Sequence, residues 1–576
     1  MKKSDNYTLT KEEIENNHIV QNKKSYFVVF GILALSICLL IVGSLFRNNI
    51  TPDYPLVFID ANNKLMVITK TGNSKNDITN IEDANIVYAN EDIRYILYTN
   101  NTSLYLLDTT SGGEGTLLSK NVKDYGFSSD DEAVYYIEQD GSLYVYIRKD
   151  KTSYLIDSNV KEAIDVIDNY VVYGKDNSLL IKDYINLAVD TIANSYGEVY
   201  ISEDYDMILY ATDKSDYKDY YIYNIKTTSN NKILNRVYEL LNYNPDFTEF
   251  IYTSKNDDPL NIYEELNDTL VDSDRKFVVY SDKDVENGTI TEEEKKKNDE
   301  ESTLVSERNK MREYARNYPN SGYNLYYQLK ETKTLLASGV IDVYVDDYDN
   351  KRVVYTKNTW NNILDLKDYN TLDEFKKALE SNKTKGLYYQ INTDTPSLIK
   401  DNIGDNIELI YKENDGVYYI ENTNLYYSQV FGRKASSSTL VDSNLITTKL
   451  NKVLDLGVVY LTSDNNSLKY VSKGRSRLIN QDVYREFIEV SETEDAIYYL
   501  RNYANHSGTL MLFNGIRNSK LSDNVSSFIY INDELMYATK DYDEETKTSD
   551  LYRLNGSKFT FIYKGILEWF SPVAKN

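Results

Sequence analysis

Along most of the chain, short apolar runs alternate with polar positions at period two, and each run ends at Asn, Asp, Gly or Ser. This pattern predicts half-buried strands joined by tight turns. The clearest stretch predicts strands at Val122 to Ser128, Ala133 to Glu138, Ser142 to Arg148 and Thr152 to Asp157, with a polar turn at 129–132 and a hairpin at Asp140-Gly141. It closes on Asn159-Val160, and the same closing phrase recurs at Asn121-Val122, Asn402-Ile403, Asn444-Leu445, Asp482-Val483 and Asn524-Val525. The markers lie 38, 243, 42, 38 and 42 residues apart. A period near forty that holds four short strands and no helical pattern is that of a β-propeller blade.

The long interval holds two stretches that break the pattern, at 257–322 and 359–386. With these 66 and 28 residues set aside, four more units fit, at 161–197, 198–237, 238–340 and 341–403. Near the termini, Leu56 to Asp60, Lys64 to Thr69 and Asp77 to Ile81 supply three strands of a unit, and Ile566 to Phe570 the missing innermost one. Such closure joins the ends and shields edge strands. The expected fold class is all-β, built of four-stranded propeller blades. Single rings typically carry about four to eight blades, so two propellers are expected. Their expected spans are 55–256 and 341–573, with 257–340 holding a charged helical insert and the remainder of a blade.

Both inserts carry helix-start signals. In Thr291-Glu292-Glu293-Glu294 the threonine hydroxyl and the third carboxylate can satisfy orphan amides, and the helix is expected to end near Asn317, before Pro319. Its first half is charged, and Leu304, Met311, Ala315 and Tyr318 form its apolar stripe. Thr371-Leu372-Asp373-Glu374 opens a shorter helix with Leu372, Phe375, Ala378 and Leu379 on one face. Insertions in repeat proteins often carry recognition, so contact with a protein or cell-wall partner is expected at 286–320. The competing expectation is a lid that covers the top of a blade or bridges the two propellers.

Tyr26 to Phe46 is a run of 21 residues without charge, long enough at ~1.5 Å per residue to span a bilayer. Lys2, Lys3, Lys11, Lys23 and Lys24 precede it and only Arg47 follows closely, so the expected arrangement is a cytoplasmic tail 1–24 and a transmembrane helix 25–46. The protein is then a single-pass cell-membrane protein with its bulk extracytoplasmic. A cleaved signal peptide ending at Val42-Gly43-Ser44 is the rival expectation. The single cysteine, Cys38, falls within this span, which leaves no disulfide outside it. A net charge of −26 disfavours nucleic acid as a partner. The 56 tyrosines suit half-buried strands.

The phrase Asn244-Pro245-Asp246 ahead of the strand Glu249-Phe250-Ile251-Tyr252 resembles the propeller repeats of the Tol-system periplasmic protein and of the prolyl oligopeptidase N-terminal domain. In those repeats Ser-Pro-Asp-Gly-Lys precedes the second strand; the glycine is missing here, and the resemblance implies repeat architecture only. With its span and tyrosine-rich repeats, the chain is also similar to surface propeller proteins of low-GC Gram-positive bacteria.

For chemistry the sequence offers little. It has no Gly-rich phosphate loop, zinc ligand set or nucleophile elbow. His506, the one histidine beyond the span, lies in a hairpin and reads as a solvated turn residue. Asp346 to Asn350 and Asp541 to Glu545 have alternating carboxylates, but the first lacks the glycine and distal glutamate of a calcium loop, and both read as acidic turns. No catalytic, cofactor-binding or metal-binding residue is assigned, and no cofactor is expected. The expected function is a membrane-anchored, extracytoplasmic binding or scaffold module. The alternative is a carbohydrate- or peptidoglycan-active enzyme using carboxylates in the propeller channel.

Overall fold

The computed structural model describes residues 56–570 except 63, 69–77, 83–84, 90–93, 109–114, 215, 256–260, 270–276, 319–321, 346–351, 413–415, 447–452, 455–456, 492–495, 532–533 and 556–557. The expected tail and transmembrane helix lie outside these residues, as does the acidic turn Asp346 to Asn350. Among the described residues, no helix is long and apolar enough to cross a membrane.

The strands pair as successive antiparallel four-stranded meanders. In the stretch read most clearly from sequence they are Val122–Phe127, Ala133–Glu138, Leu143–Ile147 and Thr152–Asp157, paired in that order. Each meander is named below by the apolar residue that opens it, here the Val122 unit. The ends of the chain meet as the sequence predicts. Leu56–Asp60 pairs on one side with Lys64–Ile68 and on the other with the last strand, with Val57 opposite Phe570 and Asp60 opposite Ile566. This Ile566 unit is therefore built from both ends of the described chain, the closure characteristic of a β-propeller.

At five of its six occurrences, all but Asn121-Val122, the recurring Asn-Val phrase has a conformational cause. Asn159, Asn402, Asn444, Asp482 and Asn524 all have φ between 50° and 61°. In this left-handed region Asn and Asp are tolerated better than other residues with a Cβ. Each turns the chain from the outer strand of one unit into the next, and the apolar residue that follows is buried. The following amide is also tied back: Val160 N–H donates to Gly141 O at 2.9 Å, and Leu445 N–H to Thr423 O at 2.9 Å. Both acceptors lie in the hairpin between the second and third strands of the preceding unit. Where no Asn or Asp marks a crossing, Arg236 (φ 55°), Gly339 (φ 71°) and Gly565 (φ 70°) stand in its place, ahead of Val237, Val340 and Ile566. Hydrogen-bonded pairing persists on both sides of these kinks, so strands such as Thr332–Val345 and Lys558–Phe570 each serve two units and merge them into longer sheets.

Units pack face to face. Tyr418, Leu425 and Tyr427 of the Ile403 unit meet Val458, Tyr460 and Val471 of the next. At the closure, Ile529, Tyr537 and Leu551 meet Leu56, Phe58 and Met66. Each fully buried side chain of this size contributes roughly 1.5–3 kcal/mol, so one junction outweighs any single polar contact. Many of the tyrosines form cross-strand stacks within a unit, with Tyr98 on Tyr105 at 5.1 Å, Tyr136 on Tyr144 at 5.2 Å and Tyr419 on Tyr426 at 5.2 Å.

Tyrosine is needed rather than phenylalanine because the hydroxyls latch neighbouring units. In the Val340 unit, Tyr355 O–H donates to Gln390 Oε1 at 2.8 Å, and Gln390 Nε2 donates to Leu336 O of the preceding unit at 2.8 Å. Tyr252 reaches Ile233 O through Gln328 in the same way, and Tyr499 reaches Ile479 O through Asn518. Two other junctions use a carboxylate of the preceding unit. Tyr173 and Lys175 bind Asp157 at 3.0 and 2.8 Å, and Tyr460 and Lys469 bind Asp442 at 2.8 and 2.9 Å. Burial raises the phenol pKa values of Tyr355 and Tyr460, which keeps both as donors.

Candidate interaction site

The inserts leave the sheets at equivalent places in neighbouring units. The first lies between Glu249–Lys255 and Tyr323–Leu329, the second between Arg352–Trp360 and Lys383–Ile391, each pair being the second and third strands of its unit. They therefore emerge side by side and fold on one another. Asn267 N–H donates to Leu364 O at 2.9 Å and Leu366 N–H to Asn267 O at 3.0 Å, a parallel backbone bridge between them.

Among the described residues three α-helices follow in chain order: α1 (Asp282–Glu286), α2 (Glu292–Arg316) and α3 (Leu372–Asn382). Ile262, Met311, Ala315 and Tyr318 of the first insert share one buried core with Leu366, Phe375 and Leu379 of the second. Within it, Arg312 grips Asp268 with a two-pronged contact, Nε to Oδ2 at 2.7 Å and Nη2 to Oδ1 at 3.0 Å. Arg312 is 3% exposed, and a guanidinium this buried requires such a partner. Tyr318 O–H donates to Glu380 of α3, closing the far end.

Both helix starts are capped as the sequence predicts. Thr291 Oγ1 accepts from the Glu294 amide while the Glu294 carboxylate accepts from Thr291, and Thr371 caps α3. The start of α3 is also held from α2, because Glu307 Oε2 accepts from the Leu372 amide at 2.9 Å. Lys310 and that amide hold the Glu307 carboxyl below its usual range.

The long helix has two unlike halves. Its buried positions are Val305, Met311, Arg312 and Ala315, all in the C-terminal half. The N-terminal half stands clear of the core and borders a groove of about 1370 Å³ that runs to the start of α3. Leu304 and Leu372 give this groove an apolar strip, edged by Glu293, Lys296, Glu300 and Glu307. Such a mixed-charge groove with an apolar floor can hold a protein segment.

The other sequence candidates are placed as follows. His506 is exposed in the hairpin between Ile497–Ala504 and Ser507–Phe513, with its ring 4.5 Å from that of Tyr542. In the acidic turn 541–545, Asp543 Oδ1 accepts from the amides of Glu545 and Thr546 at 2.8 and 3.1 Å, so this carboxylate shapes its own hairpin. Among the described residues, no group of three His, Cys, Asp or Glu side chains could hold a metal. The union of the two inserts does not follow from the spacing of their residues. Its one trace in the sequence is Arg312, a charge set beside Met311 on the buried face.

No protein-family model matches the chain, and no curated protein matches it. Solved structures do. The chain is similar to a eukaryotic initiation factor at 10% identity, covering 81% of this chain and 96% of that one, with a TM-score of 0.33. It is similar to TolB from Acinetobacter baumannii at 16% identity, covering 35% and 58%, with a TM-score of 0.22. It is also similar to the β-propeller domain of the Trilobed protease from Pyrococcus furiosus at 10% identity, covering 70% and 98%, with a TM-score of 0.24. The propeller assignment rests on the strand pairing and closure described above, and no activity is carried over from these likenesses.

Proposed function

We propose that this chain is an extracytoplasmic scaffold, held at the cell membrane by residues 25–46, that binds a protein or cell-wall partner through the cap formed by its two inserts. The observation that carries this reading is the division of α2: one half is built into a core shared by two inserts, and the other is held clear of it beside a groove. A helix kept only as a lid would bury both halves. We further propose that the units are eleven blades in one closed series. We propose one series in place of two rings because the apolar clusters join each unit to the next in sequence and the composite Ile566 unit to the first.

The test compares the intact chain with a variant carrying Glu293→Ser, Lys296→Ser and Glu300→Ser, three positions outside the cap core. Proximity labelling in the producing cells should mark a partner with the intact chain and lose it with the variant, while the melting temperature stays unchanged. Equal labelling by both would reject the cap as the recognition surface. Protease added outside intact cells should degrade residues 47–576, and full protection would reject the extracytoplasmic placement.

A further inference from the structure

A second concave site lies well away from the cap in the chain, where the Val483, Val525 and Ile566 units meet. It encloses about 270 Å³, close to the size of one sugar ring, and shares no residue with the cap. One wall is aromatic. Tyr503 stacks on Tyr484 at 4.5 Å, and Phe487 packs 5.5 Å from Tyr503 and 6.1 Å from Phe528. The lining also includes His506, packed on Tyr542, and Lys547.

The floor is made of hydroxyls. Ser549 Oγ donates to Ser526 Oγ at 3.1 Å, and the Ser527 and Thr539 hydroxyls lie 2.8 Å apart, sharing one bond. Tyr503 O–H donates to the Ser526 carbonyl at 3.0 Å, which fixes the wall to the floor. Each hydroxyl pair has two protons and uses one between its members, so each pair retains a donor for the pocket. At the matching cross-strand pair of the Val237 unit, Glu239 stands opposite Thr253, where Ser527 stands opposite Thr539 here. In a chain of net charge −26, no Asp or Glu among the described residues lines this pocket.

From this we infer that the pocket binds a neutral saccharide unit, its apolar ring face against Phe487 and Tyr503, its edge against Tyr542 and its hydroxyls bonded to the Ser527–Thr539 and Ser526–Ser549 pairs. The aromatic wall suits the C–H face of a sugar, and hydroxyl donors without a carboxylate suit a ligand that is polar and uncharged. The site binds without cleaving, because glycoside hydrolysis ordinarily needs a carboxyl pair. It does not depend on the cap being a partner surface.

The test uses the full-length chain in a detergent without a sugar headgroup. It is titrated calorimetrically with the N-acetylglucosamine trimer, maltotriose and cellotriose, and with inorganic phosphate. At least one neutral trisaccharide should bind saturably, and both the double variant Ser527→Ala/Thr539→Val and the single variant Tyr542→Ala should weaken it about tenfold without changing the melting temperature. The cap variant described above should bind the same sugar unchanged, which separates failure here from failure of the partner surface. Absence of saturable binding by all three sugars, saturable binding of phosphate in their place, or unchanged affinity in both pocket variants would overturn the inference.

Discussion

Neighbouring propeller-type units of this chain are latched by two different chemistries that serve the same buried tyrosine. At the Val340 unit the Tyr355 hydroxyl is received by an amide, Gln390, which passes the contact on to Leu336 O of the preceding unit. At the Leu445 unit the Tyr460 hydroxyl is received by Asp442 of the preceding unit, with Lys469 as counter-ion. The amide latch satisfies every polar group without charge. The carboxylate latch satisfies the same geometry and adds an ion pair, which makes that junction sensitive to protonation. The repeat thus fixes where a tyrosine must sit and leaves its acceptor free to vary.

The largest expected effect comes from breaking an amide latch at its aromatic end. Tyr355→Ala should cost about 3–5 kcal/mol, through lost burial and the cavity left behind. Gln390→Ala keeps the ring but leaves the Tyr355 hydroxyl and Leu336 O without their partner, and should cost roughly 1–3 kcal/mol. Urea denaturation of the purified chain, followed by tyrosine fluorescence, measures both. Equal stability of Gln390→Ala and the parent would mean that the amide contributes nothing at this junction.

Much of this architecture can be read from the residues, and the part that cannot has a physical reason. The Asn-Val phrase is legible because Asn and Asp both accept a left-handed backbone and an apolar residue follows each time. It fails at Arg236 and Gly339, where the same conformation is met by other residue types, so the marker is missing at those crossings of the 243-residue interval while the fold continues; Gly565 does the same at the closure. The helix starts at Thr291 and Thr371 are legible because capping is local. The Arg312–Asp268 pair, 44 residues apart, and the packing of Phe375 against Met311 are not local, and nothing in their spacing marks them. The hydroxyl-floored pocket is hidden for the same reason. His506, Ser527 and Ile566 come from three consecutive units, and only the packing of those units brings them together.

The carboxylate latch predicts a dependence on pH that the amide latch lacks. Burial raises the Asp442 pKa, but hydrogen bonds from Lys469, Tyr460 and the Ser443 amide, together with the Lys469 charge, outweigh it and leave the group below its usual value. Asp157 is lowered by the same balance, with Lys175, the Ser158 amide and Tyr173 as donors. A carboxyl whose folded pKa is depressed adds stability that is fully present above its unfolded pKa and is lost as pH falls through the folded one. Asp442→Asn should therefore be destabilising at neutral pH, with the difference from the parent shrinking as pH is lowered from about 6 toward 3. The cost of Gln390→Ala should stay level over the same range. Parallel slopes for the two variants in urea titrations at successive pH values would show that the two latches do not differ in this way.

The smallest expected effect tests whether junction strength lies in the latch or in the crossing residue. Gly339 and Asn444 occupy the same left-handed conformation at different crossings, and a Cβ built on Gly339 meets nothing within 4 Å. A substitution there changes backbone preference alone. Gly339→Asn should shift stability by under about 1 kcal/mol, since Asn visits this region readily, whereas Gly339→Val should cost about 1–2 kcal/mol because a β-branched residue does not. Both values fall below that expected for Tyr355→Ala at the same unit, so the crossing residue directs the chain and the aromatic latch holds it. If Gly339→Asn proved as damaging as Tyr355→Ala in the same denaturation assay, the crossing itself would be the main determinant of the junction, and the contrast between amide and carboxylate latches would lose its energetic basis.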